Sequence, residues 1–177
     1  MHFDLMWKVS GVSMQEPFQI GDRVIYPSRG IGQIESECNT EIAGVIISSY
    51  EIVFINDKVR VKVPKDKIET VGLRHISTKQ ELENAISVLR SPKTPRRGMW
   101  GRIAREYAAK IASGNLSEIA GVLRDLYSSN MADVSSGAKK LYESALILFS
   151  TEFSIVFDCE LEEAKRYVIG ILHYREH

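Results

Sequence analysis

The chain has 177 residues, of which 44% are hydrophobic and 26% charged, a composition typical of a soluble globular protein. Lysine plus arginine and aspartate plus glutamate each number 23, so net charge by itself favours no class of partner. Cys38 and Cys159 are far apart and lack CxxC spacing, which argues against a disulfide framework or a zinc site and fits a reducing cytoplasm. The longest apolar stretch, residues 144–157, is interrupted by polar side chains, so we predict a cytoplasmic protein without a membrane span.

Short strand-like segments separated by turns make up the first part of the chain. We expect residues 1–14 to form a disordered tail. Strands are predicted at Phe18–Tyr26 and Ile31–Glu37, with a loop from Cys38 to Gly44 after the second of them. Val45–Ile55 is rich in β-branched and aromatic residues, which predicts a third strand.

The segment Lys58–Val63 alternates strictly between valine and a cation, and Asn56-Asp57 before it is typical of a hairpin turn. The alternation predicts a half-buried strand with Arg60 and Lys62 on a cationic outer face. These charges either protect an edge strand from aggregation or form a docking surface for another protein, and the pattern leaves both open. Short strands with no helical period between them predict a small antiparallel β barrel over residues 15–73.

From residue 74 onward the hydrophobic period is that of helices, so we predict an all-α bundle over residues 74–177 and an α+β fold class. Thr78-Lys79-Gln80-Glu81 is a capping-box pattern that begins the first helix, which ends before Pro92. Four more helices are predicted from apolar positions at helical spacing. These positions include Trp100, Ile103 and Tyr107, then Ile119 and Leu123, then Leu141 and Phe149, and last Ala164 and Val168.

One stretch of this neutral chain is strongly basic. From Arg90 to Lys110 there are seven cations and one anion, Glu106. Minor-groove binders combine cations that neutralise phosphates with an apolar wedge that unstacks a base step. A basic block also suits RNA or acidic lipid headgroups, so it predicts an anionic partner without choosing one. Four of the cations lie around Trp100 in the sequence: Arg96, Arg97, Arg102 and Arg105.

Trp100 itself has two interpretations. It heads an apolar stripe that continues through Ile103 and Tyr107, so helical periodicity favours a place in the core. Its arginine neighbours favour an exposed wedge instead. The pattern alone leaves both open.

Residues with the chemistry of catalysis are sparse. The four histidines are scattered without a partner at ligand spacing, and Gly30-Ile31-Gly32 has no helix behind it that could bind phosphate. We interpret this glycine pair as part of a β-turn, and the acidic residues at 158–163 as the negatively charged start of the last helix. We therefore predict no enzyme activity, no cofactor and no metal site.

Several segments resemble the CarD family of bacterial transcription regulators. Phe18–Pro27, followed by Gly30 and Gly32, is similar to the family's opening "GD-V-YP…G-G" pattern. Further similar segments continue to about residue 172. They are Val61–Pro64 and Val71–Arg74 in the β half, and Val88–Arg90, Trp100–Arg102, Leu116–Ala120 and Val122–Leu126 in the helical half.

The resemblance implies a Tudor-like β domain that docks on the β subunit of RNA polymerase, and a helical domain that reaches promoter DNA at the upstream edge of the bubble. Trp100 matches the family's tryptophan, which wedges into the minor groove and hinders bubble collapse. Arg102 and Arg105 match basic positions beside it and are expected to contact phosphates, with Arg96 and Arg97 in support. We expect little sequence specificity.

Lys62 matches a basic residue of the family's polymerase-binding face. A second basic residue of that face is replaced here by Asn39 or Thr40, so we expect Arg60 or Tyr50 to contribute to the contact. The resemblance thus predicts a monomeric regulator that binds polymerase and stabilises the open promoter complex. The alternatives are a protein adaptor with Trp100 in its core, or a nucleic-acid-binding protein that needs no polymerase.

Overall fold

The computed structural model describes residues 18–27, 29–55, 58–95 and 97–175. The tail predicted over residues 1–14, the hairpin turn predicted at Asn56-Asp57 and the candidate phosphate contact Arg96 lie outside these described residues.

Five strands form one antiparallel sheet in the order β4-β3-β2-β1-β5. It encloses a hydrophobic core whose largest fully buried side chains include Phe54, Ile34 and Ile52, with Val63 facing it from β4. The predicted alternation of the fourth strand is therefore confirmed at Val61 and Val63 but not at Val59, which is 38% exposed and lies before β4 begins. The strands are β1 (Arg23–Tyr26), β2 (Gly30–Ile42), β3 (Val45–Phe54), β4 (Arg60–Pro64) and β5 (Arg74–His75).

The loop predicted from Cys38 to Gly44 is instead part of a long hairpin arm. β2 continues to Ile42 and pairs with β3 as far as the partners Ile42 and Val45. Ala43 and Gly44 close the hairpin with φ of 52° and 79°, as a two-residue turn with both central residues at positive φ requires. The prediction was wrong because the arm is exposed on both faces, so its strands need no apolar alternation.

The two ends of the β domain also differ from the predicted bounds. The first strand begins only at Arg23, because Gln19–Asp22 forms a turn in which the Gln19 N–H donates to Asp22 Oδ2 at 2.8 Å. At the other end, β5 pairs with β1 through Arg74 and His75, two residues that we assigned to the helical domain.

The Gly30-Ile31-Gly32 segment opens β2 instead of forming the β-turn that we expected. Gly30 has φ of 95° and follows a turn in which the Arg29 N–H donates to the Tyr26 carbonyl at 2.9 Å. At Gly32 a Cβ would lie 2.4 Å from Ile52 Cγ2, so the close approach of β2 and β3 requires glycine.

The second half of the chain is a bundle of helices, which confirms the predicted α+β fold class with a Tudor-like β domain ahead of an all-α region. Its first long helix begins with the predicted capping box, in which Thr78 Oγ1 accepts from the Glu81 N–H at 3.2 Å. The bundle helices are α2 (Lys79–Arg90), α3 (Trp100–Ala112), α4 (Leu116–Leu126), α5 (Ser136–Phe157) and α6 (Leu161–Arg175), while the short α1 (Ile68–Val71) precedes β5 and packs against the core of the β domain.

The core of the bundle lies where α4 packs against α2, α3 and α5, and where α5 packs against α6. Leu82, Leu89, Leu123, Phe149 and Leu172 are fully buried there. Burying such side chains contributes about 1.5–3 kcal/mol each, which gives this half a core of its own.

Candidate nucleic-acid interface

The apolar stripe of α3 runs from the protein surface into the core. Tyr107 is 3% exposed and Ile103 8%, whereas Trp100 at the head of the helix is 41% exposed. Periodicity correctly predicted which face of α3 packs inward. It could not predict that this face leaves the bundle at the first turn, where Trp100 lies.

The indole of Trp100 rests on the first turn of α5. A Cβ built on Gly137 would lie 3.5 Å from the indole Nε1 and 3.9 Å from Cζ2. One edge of the ring is therefore in contact with protein while much of the side chain is open to solvent. This half-supported placement holds the ring in a defined position and still leaves aromatic surface for a ligand.

Two of the predicted phosphate contacts lie on the exposed side of α3, next to Trp100. Arg102 donates through Nη1 to Glu106 Oε1 and through Nη2 to the Arg97 carbonyl, both at 2.9 Å. Arg105 donates through Nε to the Gly101 carbonyl at 3.2 Å, and it has no ion pair among the described residues. Arg97 is also exposed and, like Arg105, has no ion pair in the part of the chain that the structure describes. Arg97 and Arg105 therefore keep their charge available, whereas Arg102 is paired with Glu106 and braces the segment that carries Arg97.

Two neighbouring residues were missed by the sequence analysis. Met99 is 83% exposed and lines a surface depression with Arg102 and Arg105. Lys140 is exposed on α5 three residues after Gly137, and so on the same side of that helix as the glycine on which Trp100 rests. No local pattern could connect α5 with α3, because this lysine lies in a polar segment far along the chain. We define the Trp100 surface as Arg97, Met99, Trp100, Arg102, Arg105 and Lys140.

The segment between α2 and α3 is fastened to α4. Arg124 Nη1 donates to Ser91 Oγ at 2.8 Å, and Asp125 Oδ1 accepts from the Thr94 N–H at 3.0 Å. Lys93, one of the cations of the basic block, donates to the Tyr127 carbonyl at 2.7 Å. These bonds hold the segment that leads into α3. Lys93 of the basic block therefore helps to position the Trp100 surface.

The outer face of the β domain carries both signs of charge. Arg60 on β4 donates to Glu35 Oε1 at 2.9 Å, and Glu35 lies at an irregularity between Ile34 and Ser36 in the pairing of β2 with β3. Lys62 is exposed and pairs in register with Glu51 on β3. The prediction of a purely cationic outer face, made from β4 alone, was therefore wrong, because β2 and β3 contribute Glu35 and Glu51.

Tyr50 does not lie on this outer face. It is 3% exposed, and its hydroxyl donates to the Phe18 carbonyl at 3.2 Å inside the β domain. Lys65 lies over its ring, with Nζ 4.6 Å from the ring centroid. The side-chain hydrogen bond to Glu37 raises the pKa of Lys65 above its usual value. Tyr50, Glu37 and Lys65 therefore share the face of the sheet opposite Lys62, and Lys65 is a cation that the sequence analysis missed.

Two family models match the chain and together cover most of it. The model described as "CarD-like/TRCF RID domain" matches residues 18–77, and the model described as "CarD, C-terminal domain" matches residues 84–169. The chain belongs to the CarD family. The predicted resemblance is confirmed, in the β domain as well as in the helical bundle.

Individual relatives are distant in sequence. "Putative transcription factor YdeB" of Bacillus subtilis (strain 168) is 25% identical over 140 residues, which are 78% of this chain and 92% of the relative. Two solved structures from Myxococcus xanthus match the N-terminal half, each over 37% of this chain and 93% of the other. CdnLNt is 35% identical with a TM-score of 0.32, and the 72-residue N-terminal domain of CarD is 26% identical with a TM-score of 0.29.

CarD membership assigns this protein to transcription regulation, in a family of transcription factors rather than enzymes. The domain matched by residues 18–77 is an RNA polymerase-interacting domain. Among the helices that the structure describes, none has the length and apolarity needed to cross a membrane. Within the same residues, no three His, Cys, Asp or Glu side chains are grouped so that they could hold a metal ion.

Proposed function

We propose that the protein binds the β subunit of RNA polymerase through its β domain and stabilises the open promoter complex with Trp100 at the upstream fork of the bubble. The observation that carries this proposal is the placement of Trp100, 41% exposed and resting on Gly137, with exposed cations from two helices around it. An aromatic ring with cations beside it suits a distorted minor groove.

The cations and the indole have separate tasks. Arg97, Arg102 and Arg105, with Lys140, neutralise phosphates and release counterions, which gives affinity without sequence specificity. The exposed face of Trp100 stacks at the fork. The Trp100 surface carries no Asn or Gln that could read base edges, so little sequence specificity is expected.

The energetic effect depends on differential binding. A wedge that stacks only where the duplex has opened shifts the equilibrium toward the open complex by its preference for that form. Stacking of a base on an aromatic side chain is worth about 1–3 kcal/mol, or roughly five- to a hundredfold in open-complex population. Polymerase binding by the β domain raises the effective concentration of the wedge at the promoter, so a monomer with modest affinity for DNA suffices.

On the β domain we assign the polymerase contact to Lys62 and Arg60. Tyr50 is left out as a direct contact because it is buried on the opposite face of the sheet. At the positions where a second basic residue was expected, Asn39 and Thr40 are exposed on the hairpin arm, and Asn39 Oδ1 accepts from Ser48 Oγ at 2.7 Å. The mixed charge of the surface favours a partner that offers both acids and bases.

The test is the lifetime of the open complex on a ribosomal-RNA-type promoter, measured with cognate polymerase holoenzyme. Wild-type protein is expected to extend the lifetime. Trp100→Ala should lose this effect while still binding polymerase, and Lys62→Glu should lose it by failing to bind. Arg166→Gln, on an exposed part of α6 away from both surfaces, is the matched control and should behave as wild type.

Two results would reject the proposal. If Trp100→Ala extends the lifetime as wild type does, Trp100 is not the wedge and a protein adaptor becomes the better account. If the isolated protein binds promoter DNA tightly and Lys62→Glu changes nothing, the protein acts without polymerase.

A further inference from the structure

A buried ion pair joins the two halves of the molecule. Arg74 on β5 donates through Nη1 to Glu152 Oε1 and through Nη2 to Glu152 Oε2, both at 2.8 Å. The Arg74 side chain is 19% exposed and that of Glu152 on α5 is 2% exposed. Such two-pronged pairs are strongly directional, because both N–H···O bonds must align at once.

The same two groups make further bonds across the junction. Arg74 Nε donates to the carbonyl of Gly114, immediately after α3, at 2.9 Å. Glu152 Oε1 also accepts from the Ser77 N–H, ahead of α2, at 2.7 Å. One guanidinium on the sheet therefore holds both α5 and the end of α3.

Trp100 belongs to α3 and contacts α5. Trp100 begins α3 and rests on Gly137 in the first turn of α5, so α3 and α5 run side by side from the indole toward Arg74. At 1.5 Å per residue, the distance along α3 from Trp100 to Gly114 and the distance along α5 from Gly137 to Glu152 are each about 20 Å. A rotation of about 10° at the Arg74 end would move the indole by about 3.5 Å, close to the ~3.4 Å between stacked bases.

The apolar contacts of the junction are less directional than the ion pair. Ile25 and Ile31, paired in register on β1 and β2, line a pocket of about 80 Å³ together with Ile119 and Leu148 of the bundle. Apolar contact is non-directional, so it sets the angle less sharply than a two-pronged ion pair does.

We propose that the Arg74–Glu152 pair is a positioning device, which sets the angle of the helical domain on the β domain and thereby the place of Trp100 relative to docked polymerase. This inference rests on the proposed function. Arg74 and Glu152 touch neither DNA nor polymerase in it. They act through α3 and α5.

The first experiment measures the angle itself, by pulsed electron resonance between spin labels on Lys67→Cys and Ala108→Cys, with Cys38 and Cys159 replaced by serine. Both label sites are exposed, one in each domain. The otherwise wild-type chain should give one narrow distance distribution. Arg74→Gln should broaden it, as should the double variant Arg74→Met/Glu152→Leu. The double variant removes both charges and, as apolar replacements of buried pairs often do, should keep the protein folded.

The second experiment measures open-complex lifetime and holoenzyme affinity with unlabelled versions of the same variants. Arg74→Gln and the double variant should bind holoenzyme as wild type does. Neither should extend the open-complex lifetime more than Trp100→Ala does. Arg74→Lys keeps the charge but loses the two-pronged geometry, so it should not restore the effect. Glu162→Gln, which breaks an exposed ion pair with Lys165, is the matched control and should change neither measurement.

Unchanged distance distributions in both Arg74→Gln and the double variant would overturn the inference, as would broadened distributions with an unchanged lifetime. If wild type itself does not extend the lifetime, the proposed function fails. The distance distributions then decide separately whether Arg74 and Glu152 set the interdomain angle.

Discussion

Gly137 on α5 lies beneath the indole of Trp100 on α3, and a Cβ at this glycine would meet Nε1 at 3.5 Å. That separation is ordinary van der Waals contact, so the glycine is not required by lack of space. Its backbone is helical. The position of the indole therefore depends on how large a side chain α5 presents at residue 137.

We expect Gly137→Ala to stabilise the protein and leave Trp100 in place. Alanine is favoured over glycine in a helix by about 0.5–1 kcal/mol, with less at the first turn. Gly137→Leu should instead push the indole outward and shift its fluorescence emission to longer wavelength. Urea unfolding and emission spectra, recorded with Trp7→Phe as the background, test both expectations. Identical spectra for the alanine and leucine variants would contradict the contact.

Arg105→Gln should lower the salt dependence of the protein's binding to holoenzyme–promoter complexes. Arg105 has no ion pair among the described residues, so its charge is available to a phosphate. Loss of one phosphate contact reduces the slope of log affinity against log salt by about 1. Arg102→Gln should weaken binding as well, because Arg102 also holds the Arg97 carbonyl. An unchanged slope in Arg105→Gln would remove this residue from the interface.

Gly114→Ala should destabilise the protein by about 1–3 kcal/mol. Gly114 ends α3 with φ of 69°, and a Cβ there would lie 2.8 Å from Pro27 Cγ. Left-handed backbone alone costs a residue other than glycine about 1–2 kcal/mol. Gly121→Ala in α4 is the matched control, since its Cβ would meet nothing within 4 Å. Thermal unfolding should give a lower midpoint for Gly114→Ala and an equal or higher one for Gly121→Ala.

Stability should fall at alkaline pH through Tyr142. Burial, with a smaller contribution from nearby Tyr127, raises the pKa of Tyr142 well above its usual 10.0. In the unfolded chain this hydroxyl ionises above about pH 10, while in the folded protein it stays protonated. The contribution of Tyr142 to the free energy of unfolding is therefore complete below pH 10. It is lost as pH rises, by up to about 1.4 kcal/mol per pH unit. Urea unfolding between pH 8 and 11 should give a shallower decline for Tyr142→Phe, and equal declines would exclude this cause.

Much of the architecture follows from the sequence because its signals are local. Alternation at Val61 and Val63, the capping box at Thr78 and the apolar stripe at Ile103 and Tyr107 each act within one element. The buried side of these elements could therefore be predicted. The β2 side of the hairpin arm could not be predicted as a strand, because both faces of the arm are exposed and this segment carries no apolar period.

What only the tertiary structure decided concerns residues far apart in the chain. The sequence identified Trp100 and its arginines, but only packing brought Gly137 beneath the indole and placed Lys140 nearby. Arg74 and Glu152 are 78 positions apart, and nothing in either segment identifies the other as its partner. Hydrogen bonds and burial depend on distances in space, and side chains from different elements meet only when the whole chain has folded.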